Sequence, residues 1–256
     1  MFPPQPIERV MNSFAVLLLL ASAAAAQKAP FGSPHCAGEA AGRVYFFLCH
    51  SPANKAPLWV GYTLTAAQLE GPAPRPSRFR QDTELLSPGA TDHDFRFSGY
   101  HRGHLAPSAD FRFSDAAIRS TFVLSNAVPQ KPSVNMGRWA AAEAAVRRLA
   151  KHADQVYVFT GTLFEGEIER IGDGRVAVPS HTYKVILAVH GRARTMYAIL
   201  VPNQDHLRAP LHEFSVTVDE VEKRSGLDFF RELEDDQEEP LESRRQFLPA
   251  SSAGLR

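Results

Sequence analysis

Cysteine is almost absent from this chain. The 256 residues contain Cys36 and Cys49 and no other. A structural zinc site takes four ligands, so this pair cannot build one alone. Charge of one sign is also lacking, since Lys+Arg and Asp+Glu number 28 each. A dedicated nucleic-acid-binding module is usually basic, and the balance speaks against that class. It does not speak against an enzyme, which needs only a few local cations or a metal ion at its site. No Gly-x-Ser-x-Gly run occurs, which removes the nucleophile elbow of the serine esterases. No internal repeat divides the sequence.

The apolar run from Ser13 to Ala26 is about 14 residues long, whereas a bilayer span needs roughly 20. Small residues at Ala24 and Ala26 give it the close of a secretory signal peptide. Residues 1–26 are therefore expected to be a signal peptide, with a secreted or periplasmic product and no stable membrane association after cleavage. Arg9 is the only cation before the run, and Met11 is an alternative start. In an oxidising compartment an even cysteine count favours a Cys36–Cys49 disulfide over two free thiols.

The rest of the chain, residues 27–236, reads as one α+β domain. Strands are expected at Val44 to Leu48, Leu58 to Leu64, Thr121 to Leu124, Gln155 to Gly161, Val176 to Pro179, Tyr183 to Val189 and Thr195 to Pro202. Gly71 to Ser77, with three prolines, is a loop that presents Arg75, Arg78 and Arg80. Ser87 to Arg102 is polar and reads as another loop. A helix is expected from Met136 to about His152, because Trp139, Ala142, Val146 and Leu149 recur at helical spacing. Ser215 to Ser225 starts a further helix. The charged and then Ser/Ala/Gly-rich segment 237–256 reads as a disordered tail.

Chemistry concentrates in His101-Arg102-Gly103-His104-Leu105-Ala106-Pro107. Gly103 would permit a tight bend, and a neutral imidazole can take a proton from water near neutral pH. Alone, the cluster reads as surface histidine ahead of a catalytic base, with a His-x-x-His metal pair as the second plain alternative. The context adds Asn126, Pro129, Gln130, Asn135, Trp139 and Glu143, in that order. Asn135 opens the long helix. Glu143 follows just over two turns later, about 12 Å along the axis and on roughly the same face. A neutral amide ligand with several waters suits Mg2+.

These residues resemble the DNA/RNA non-specific endonucleases of the ββα-metal (His-Me finger) superfamily, in particular endonuclease G-like and secreted bacterial members. The family pattern is Asp-Arg-Gly-His, then Asn-x-x-Pro-Gln, then Asn, Trp and Glu. Further matches are Val178-Pro179-Ser180-His181, Lys184-Val185 and Ser225-Gly226-Leu227-Asp228. The resemblance implies an α+β fold with a mixed or antiparallel central sheet and a ββα-metal motif. It implies His104 as general base, Asn135 as metal ligand and Glu143 as the acid that holds metal-bound water. Asn126 would support the site beside the histidine. It also implies an upstream phosphate-binding arginine, for which Arg78 is the first choice and Arg80 the second, with Arg102 a further substrate contact. The cofactor would be Mg2+, with Mn2+ a substitute, and the substrate DNA, RNA or both, cut to 5′-phosphorylated ends. The oligomeric state stays open, a homodimer among the options. One departure is plain: His101 stands where the family has Asp. The competing reading is a catalytically weakened nucleic-acid-binding or interaction protein of the same fold.

Overall fold

The structure is a computed structural model that describes residues 31–249. The expected signal peptide lies outside the described residues. In chain order the strands are β1 (Glu39–Gly42), β2 (Phe47–Ser51), β3 (Ala56–Leu64), β4 (His101–His104), β5 (Ala127–Gln130), β6 (Gln155–Leu163), β7 (Arg170–Ile171), β8 (Val176–Ala177), β9 (His181–His190), β10 (Ala193–Pro202) and β11 (Ser215–Val216). The helices are α1 (Asp92–Phe95), α2 (Asp115–Ser120), α3 (Pro132–Val134), α4 (Ala140–Ala150), α5 (Val218–Ser225) and α6 (Asp235–Glu242).

Seven strands form one antiparallel sheet in the order β1-β2-β3-β6-β9-β10-β11. Its long strands are nearly continuous apolar runs because both faces are covered. In β9, Ile186 and Ala188 belong to one buried cluster and Tyr183, Val185 and Leu187 to the other. In β6, Val156 and Val158 face the first cluster while Tyr157 and Phe159 face the second. This is the period-two alternation of a pleated strand, with apolar residues at both parities. The first cluster packs under α4 through Trp139, Ala142, Val146 and Leu149. The second packs under α5 and Phe229, Phe230 and Leu233. The expected mixed or antiparallel sheet of an α+β fold is what the chain forms.

The Cys36–Cys49 disulfide is present and ties the segment before β1 to β2, across 13 positions. The strand expected at Val44 to Leu48 begins only at Phe47. Arg43 to Phe46 form the hairpin turn instead, closed by the Arg43 N–H on the Phe46 carbonyl at 2.8 Å, and Val44 is exposed. Thr121 to Leu124 is not a strand beyond a single bridge from Val123 to Arg80. The Val176 to Pro179 strand shrinks to two residues. The helix expected from Ser215 starts at Val218, where the Thr217 hydroxyl accepts from the Glu220 N–H, and it ends at Gly226 with φ +69°. A left-handed residue at that position is the ordinary glycine stop.

The C-terminal segment is not the disordered tail expected from its composition. Residues 235–242 are α6, Leu241 packs against the second cluster, and Leu248 is buried in the first. The Pro249 carbonyl accepts from Arg148 at 2.8 Å. A few apolar anchors outweigh the acidic composition. Residues 250–256 lie outside the described residues. Among the described residues no helix is long and apolar enough to cross a membrane.

Candidate active site

The site is built on β4, β5 and the helix that follows, packed on the first face of the large sheet. β4 and β5 pair antiparallel, with His101 opposite Gln130 and His104 opposite Ala127. This replaces the loop expected up to Arg102. Gly103 serves close approach rather than a bend, because a Cβ there would collide with the Gln130 side chain. Lys131 then turns the chain and Pro132 starts α3, a position where proline's missing N–H costs nothing. A π-helical turn, Asn135–Trp139, joins α3 to α4. Such turns re-phase a helix, and here Asn135 and Glu143 border the same cavity.

That cavity measures about 370 Å³ and is lined by Arg75, Arg102, His104, Ser108, Asn135 and Glu143 among others. A second hollow of about 510 Å³ adjoins it, sharing Arg75, Arg102 and Asn135 and adding Phe79, Tyr100, His101 and Phe122. Together they form a polar trough.

His104 is 7% exposed, and its ring packs against Phe79 at 4.7 Å, tilted, and against Phe122 at 4.9 Å, edge to face. Its carbonyl accepts from the Trp139 indole N–H at 3.1 Å, which locks the strand to the helix. The Nε2 atom is buried with no hydrogen-bond partner. Burial, and after it the Arg75 guanidinium, push the imidazole down to about 3. The ring is therefore neutral across the working pH range.

Glu143 is bordered from below by Lys184, a fully buried lysine on β9. Lys184 shares the parity of Ile186 and Ala188, so it points into the site side of the sheet. Its Nζ donates to the Thr160 hydroxyl at 2.9 Å and lies 4.7 Å from the Trp139 ring centre. Burial pushes the Glu143 carboxyl up, and Lys184 opposes that shift. Beside them Asp110 accepts from the Tyr62 hydroxyl at 2.9 Å and from Arg147 at 3.0 Å.

Asn126 does not border the cavity. It is fully buried, and its amide clasps the segment after His104. Its Oδ1 accepts from the Ala106 N–H, while its Nδ2 donates to the carbonyls of Ala106 and Thr121, each at 2.9 Å.

The upstream arginines are placed differently from expectation. Arg78 and Arg80 are exposed and border neither hollow of the trough. Arg75 reaches the cavity instead, donating to the buried Ser108 hydroxyl at 2.6 Å and lying 5.1 Å from the Phe122 ring centre. The Pro-rich loop folds back over the site, which its spacing from the Phe79-Arg80-Gln81-Asp82 motif could not indicate. Asp82 is buried and ion-paired to Arg43 at 2.6 Å, so this motif anchors the loop. Arg102 borders the trough as expected, held by Asp92 at 2.6 Å and stacked near Phe95. Arg75 and Lys184 are the charged residues that the sequence reading did not assign to the site.

The zinc pair is excluded by geometry. His101 and His104 are three apart on one strand and so project to opposite faces. His101 borders only the second hollow, where its Nδ1 lies 3.2 Å from the Asn135 Nδ2. An amide nitrogen facing His101 turns the Asn135 carbonyl oxygen away from it. The oxygen donors of Asn135 and Glu143, around a polar cavity with no thiolate, suit a hard divalent cation that keeps part of its water. A buried carboxyl whose ionised form lacks solvation fits the same group.

Comparison with known proteins gives a consistent result. Residues 27–236 match the profile described as DNA/RNA non-specific endonuclease. Nuclease EXOG, mitochondrial, of Xenopus laevis is 37% identical over 239 residues, which is 85% of this chain and 66% of that protein. Nuclease C1 of Cunninghamella echinulata var. echinulata is 36% identical over 220 residues, 80% of this chain and 87% of its own. Endonuclease G, mitochondrial, of Homo sapiens is 36% identical over 215 residues, 78% and 72% of the two chains. The chain thus spans just under two thirds of the frog protein. Among solved structures, the EndoG/EndoGI complex, described under the mechanism of EndoG inhibition, matches with a TM-score of 0.76 and 32% identity. That match covers 81% of this chain and 91% of the other. The secreted or periplasmic location expected from the N-terminal run is overturned here, because the EXOG and endonuclease G relatives are mitochondrial nucleases.

Proposed function

Since this chain belongs to the DNA/RNA non-specific endonuclease family, a family of metal-dependent nucleases, we propose that it hydrolyses internal phosphodiester bonds of DNA and RNA with His104 as the general base. One observation carries this reading: His104, Arg75, Asn135 and Glu143 border one polar cavity although they come from three separate parts of the chain, a loop, a strand and a helix.

The residues divide the work by their chemistry. The His104 imidazole, neutral and packed against two aromatic rings, accepts the proton of the attacking water. Its low basicity in the free protein arises from burial and from Arg75. A phosphodiester docked on Arg75 brings a negative charge that offsets the guanidinium, so substrate binding raises the basicity of the ring. Arg75, pinned by Ser108, and Arg102, pinned by Asp92, hold the phosphate by charge-assisted hydrogen bonds. Asn135 and Glu143 would hold a divalent cation, Mg2+ or in its place Mn2+, which supplies Lewis-acid stabilisation of charge on the phosphate and the leaving oxygen. Glu143 is a buried carboxyl beside Lys184, whose charge favours the ionised form, and that form is the one that would face the cation and orient water on the leaving-group side. Contacts confined to phosphate and sugar carry no base information, which accounts for cutting without sequence preference. The expected products carry 5′-phosphates. The relatives' names argue for action in mitochondria.

Digestion of plasmid DNA and of RNA with Mg2+, with chelator, and with metal restored tests the reading. Cleavage that chelator abolishes and Mg2+ restores is expected. Binding without any cleavage under these conditions would favour the weakened, binding-only relative.

A further inference from the structure

His101 borders the trough yet has no part in the mechanism above. It sits on β4 opposite Gln130, half-buried, with its Nδ1 3.2 Å from the side-chain nitrogen of Asn135. A carboxamide presents an oxygen acceptor and an NH2 donor of nearly the same shape, and a half-turn about its last torsion exchanges them. The two orientations differ completely toward a cation: one offers a lone pair and the other offers N–H dipoles. Asn135 borders both hollows, so its amide has room on the cavity side and needs a partner on the other.

We propose that His101 is a positioning residue that fixes this choice. Its Nδ1 lone pair accepts a hydrogen bond from the Asn135 Nδ2 and thereby presents the Asn135 Oδ1 to a divalent cation. The inference rests on the metal-binding role given to Asn135 above. Because an NH2 group cannot accept, Nδ1 carries the lone pair and the ring proton sits on Nε2. The side chain cannot be a metal ligand through Nδ1 at the same time. Neighbouring polar groups leave this role to His101. Arg102 is held by Asp92, and the Tyr100 hydroxyl donates to Glu169 at 2.6 Å. Among the described residues, the Asn135 amide makes its side-chain hydrogen bond to His101.

The role also explains how a histidine can stand where the family pattern has Asp. Either side chain accepts from an amide NH2. They differ in charge, since the carboxylate adds a negative charge beside the cation and the neutral imidazole does not. The inference thus separates orientation, which both residues supply, from electrostatic attraction, which only Asp supplies.

The test is direct binding of Mg2+ and Mn2+ to the full chain by titration calorimetry, without nucleic acid. Circular dichroism and melting of the metal-free proteins run beside it. Partners of metal ligands typically matter by 10–100-fold in affinity. His101→Ala is expected to weaken both metals by about tenfold or more, with the metal-free melting temperature nearly unchanged. His101→Asp is expected to bind at least as tightly as wild type. Asn135→Ala marks the site, and loss of binding in that variant validates the metal reading itself. If wild type and Asn135→Ala bind alike, the metal role of Asn135 fails and the inference falls with it. If Asn135→Ala loses binding but His101→Ala keeps the wild-type affinity, the positioning role alone is overturned. Should His101→Ala misfold, His101→Asp decides: weaker binding than wild type would contradict an acceptor role.

Discussion

Replacing Asn126 by alanine should unfold the site before it touches the chemistry. The side chain is fully buried and makes three hydrogen bonds, all to backbone groups of Ala106 and Thr121. Asn126→Ala leaves one N–H and two carbonyls without that partner. A buried polar group left unsatisfied costs about 1–3 kcal/mol, so the sum is of order 3 kcal/mol at the least. Against a typical total of about 5–15 kcal/mol this is a large fraction. For a domain of this size it corresponds to a fall in Tm of roughly 6–12 °C. Asn126→Asp should fare no better. It keeps the acceptor for the Ala106 N–H but sets a second oxygen against two carbonyl oxygens. Thermal melts of metal-free protein measure this, with activity assayed well below the lower Tm. A fall of under about 2 °C together with loss of cleavage would refute the reasoning, for it would place Asn126 in the chemistry rather than beneath it.

Arg75→Ala should lower kcat/KM on DNA by roughly 10–100-fold, the worth of a charge-assisted hydrogen bond, while Arg78→Ala stays near wild type; the reverse order in steady-state kinetics would return the phosphate contact to Arg78. The α6 region should be pH-sensitive. Burial first, then Glu222 and neighbouring acids, push Glu242 up to about 8, and burial with Asp228 pushes Glu238 up to about 7. Folded values above the unfolded 4.5 mean that this stabilisation is full below pH 4.5 and is lost as pH rises through 7 to 8. Glu242→Gln should therefore raise the Tm at pH 8.5 more than at pH 5, and an equal change at both would count against the cluster. Reducing Cys36–Cys49, which spans 13 positions, should cost about 3 kcal/mol by the chain-entropy argument; an unchanged Tm under reductant would show that the bond adds nothing.

Sequence legibility followed the strength of the local signal. His104, Asn135 and Glu143 were readable because several motifs occur in one order, and the structure places all three on one cavity. The apolar strands β3, β6, β9 and β10 were readable because burial on both faces leaves long apolar runs. β4 was not, since His-Arg-Gly-His has no apolar alternation and its pairing with β5 comes from a partner more than twenty residues away. β1, Glu-Ala-Ala-Gly, gave no signal at all. Arg75 was passed over because a loop cation's direction is set by where the loop folds back, here onto Ser108. Lys184 is legible as part of the family pattern, but its apolar run gives it no role, since only the fold shows that it is buried on the site side of the sheet. α6 looked like a tail because composition outvoted Leu241 and Leu248, the residues that dock it.

The central claim is that the neutral imidazole of His104 is the base. Single-turnover cleavage of DNA by wild type and His104→Ala, both saturated with Mg2+ and both shown folded by their melts, tests it most directly. Removing a positioned general base should slow the chemical step by about 10²–10⁴ while leaving DNA and metal affinity in place. A His104→Ala protein that cuts within a few-fold of the wild-type rate would contradict the account.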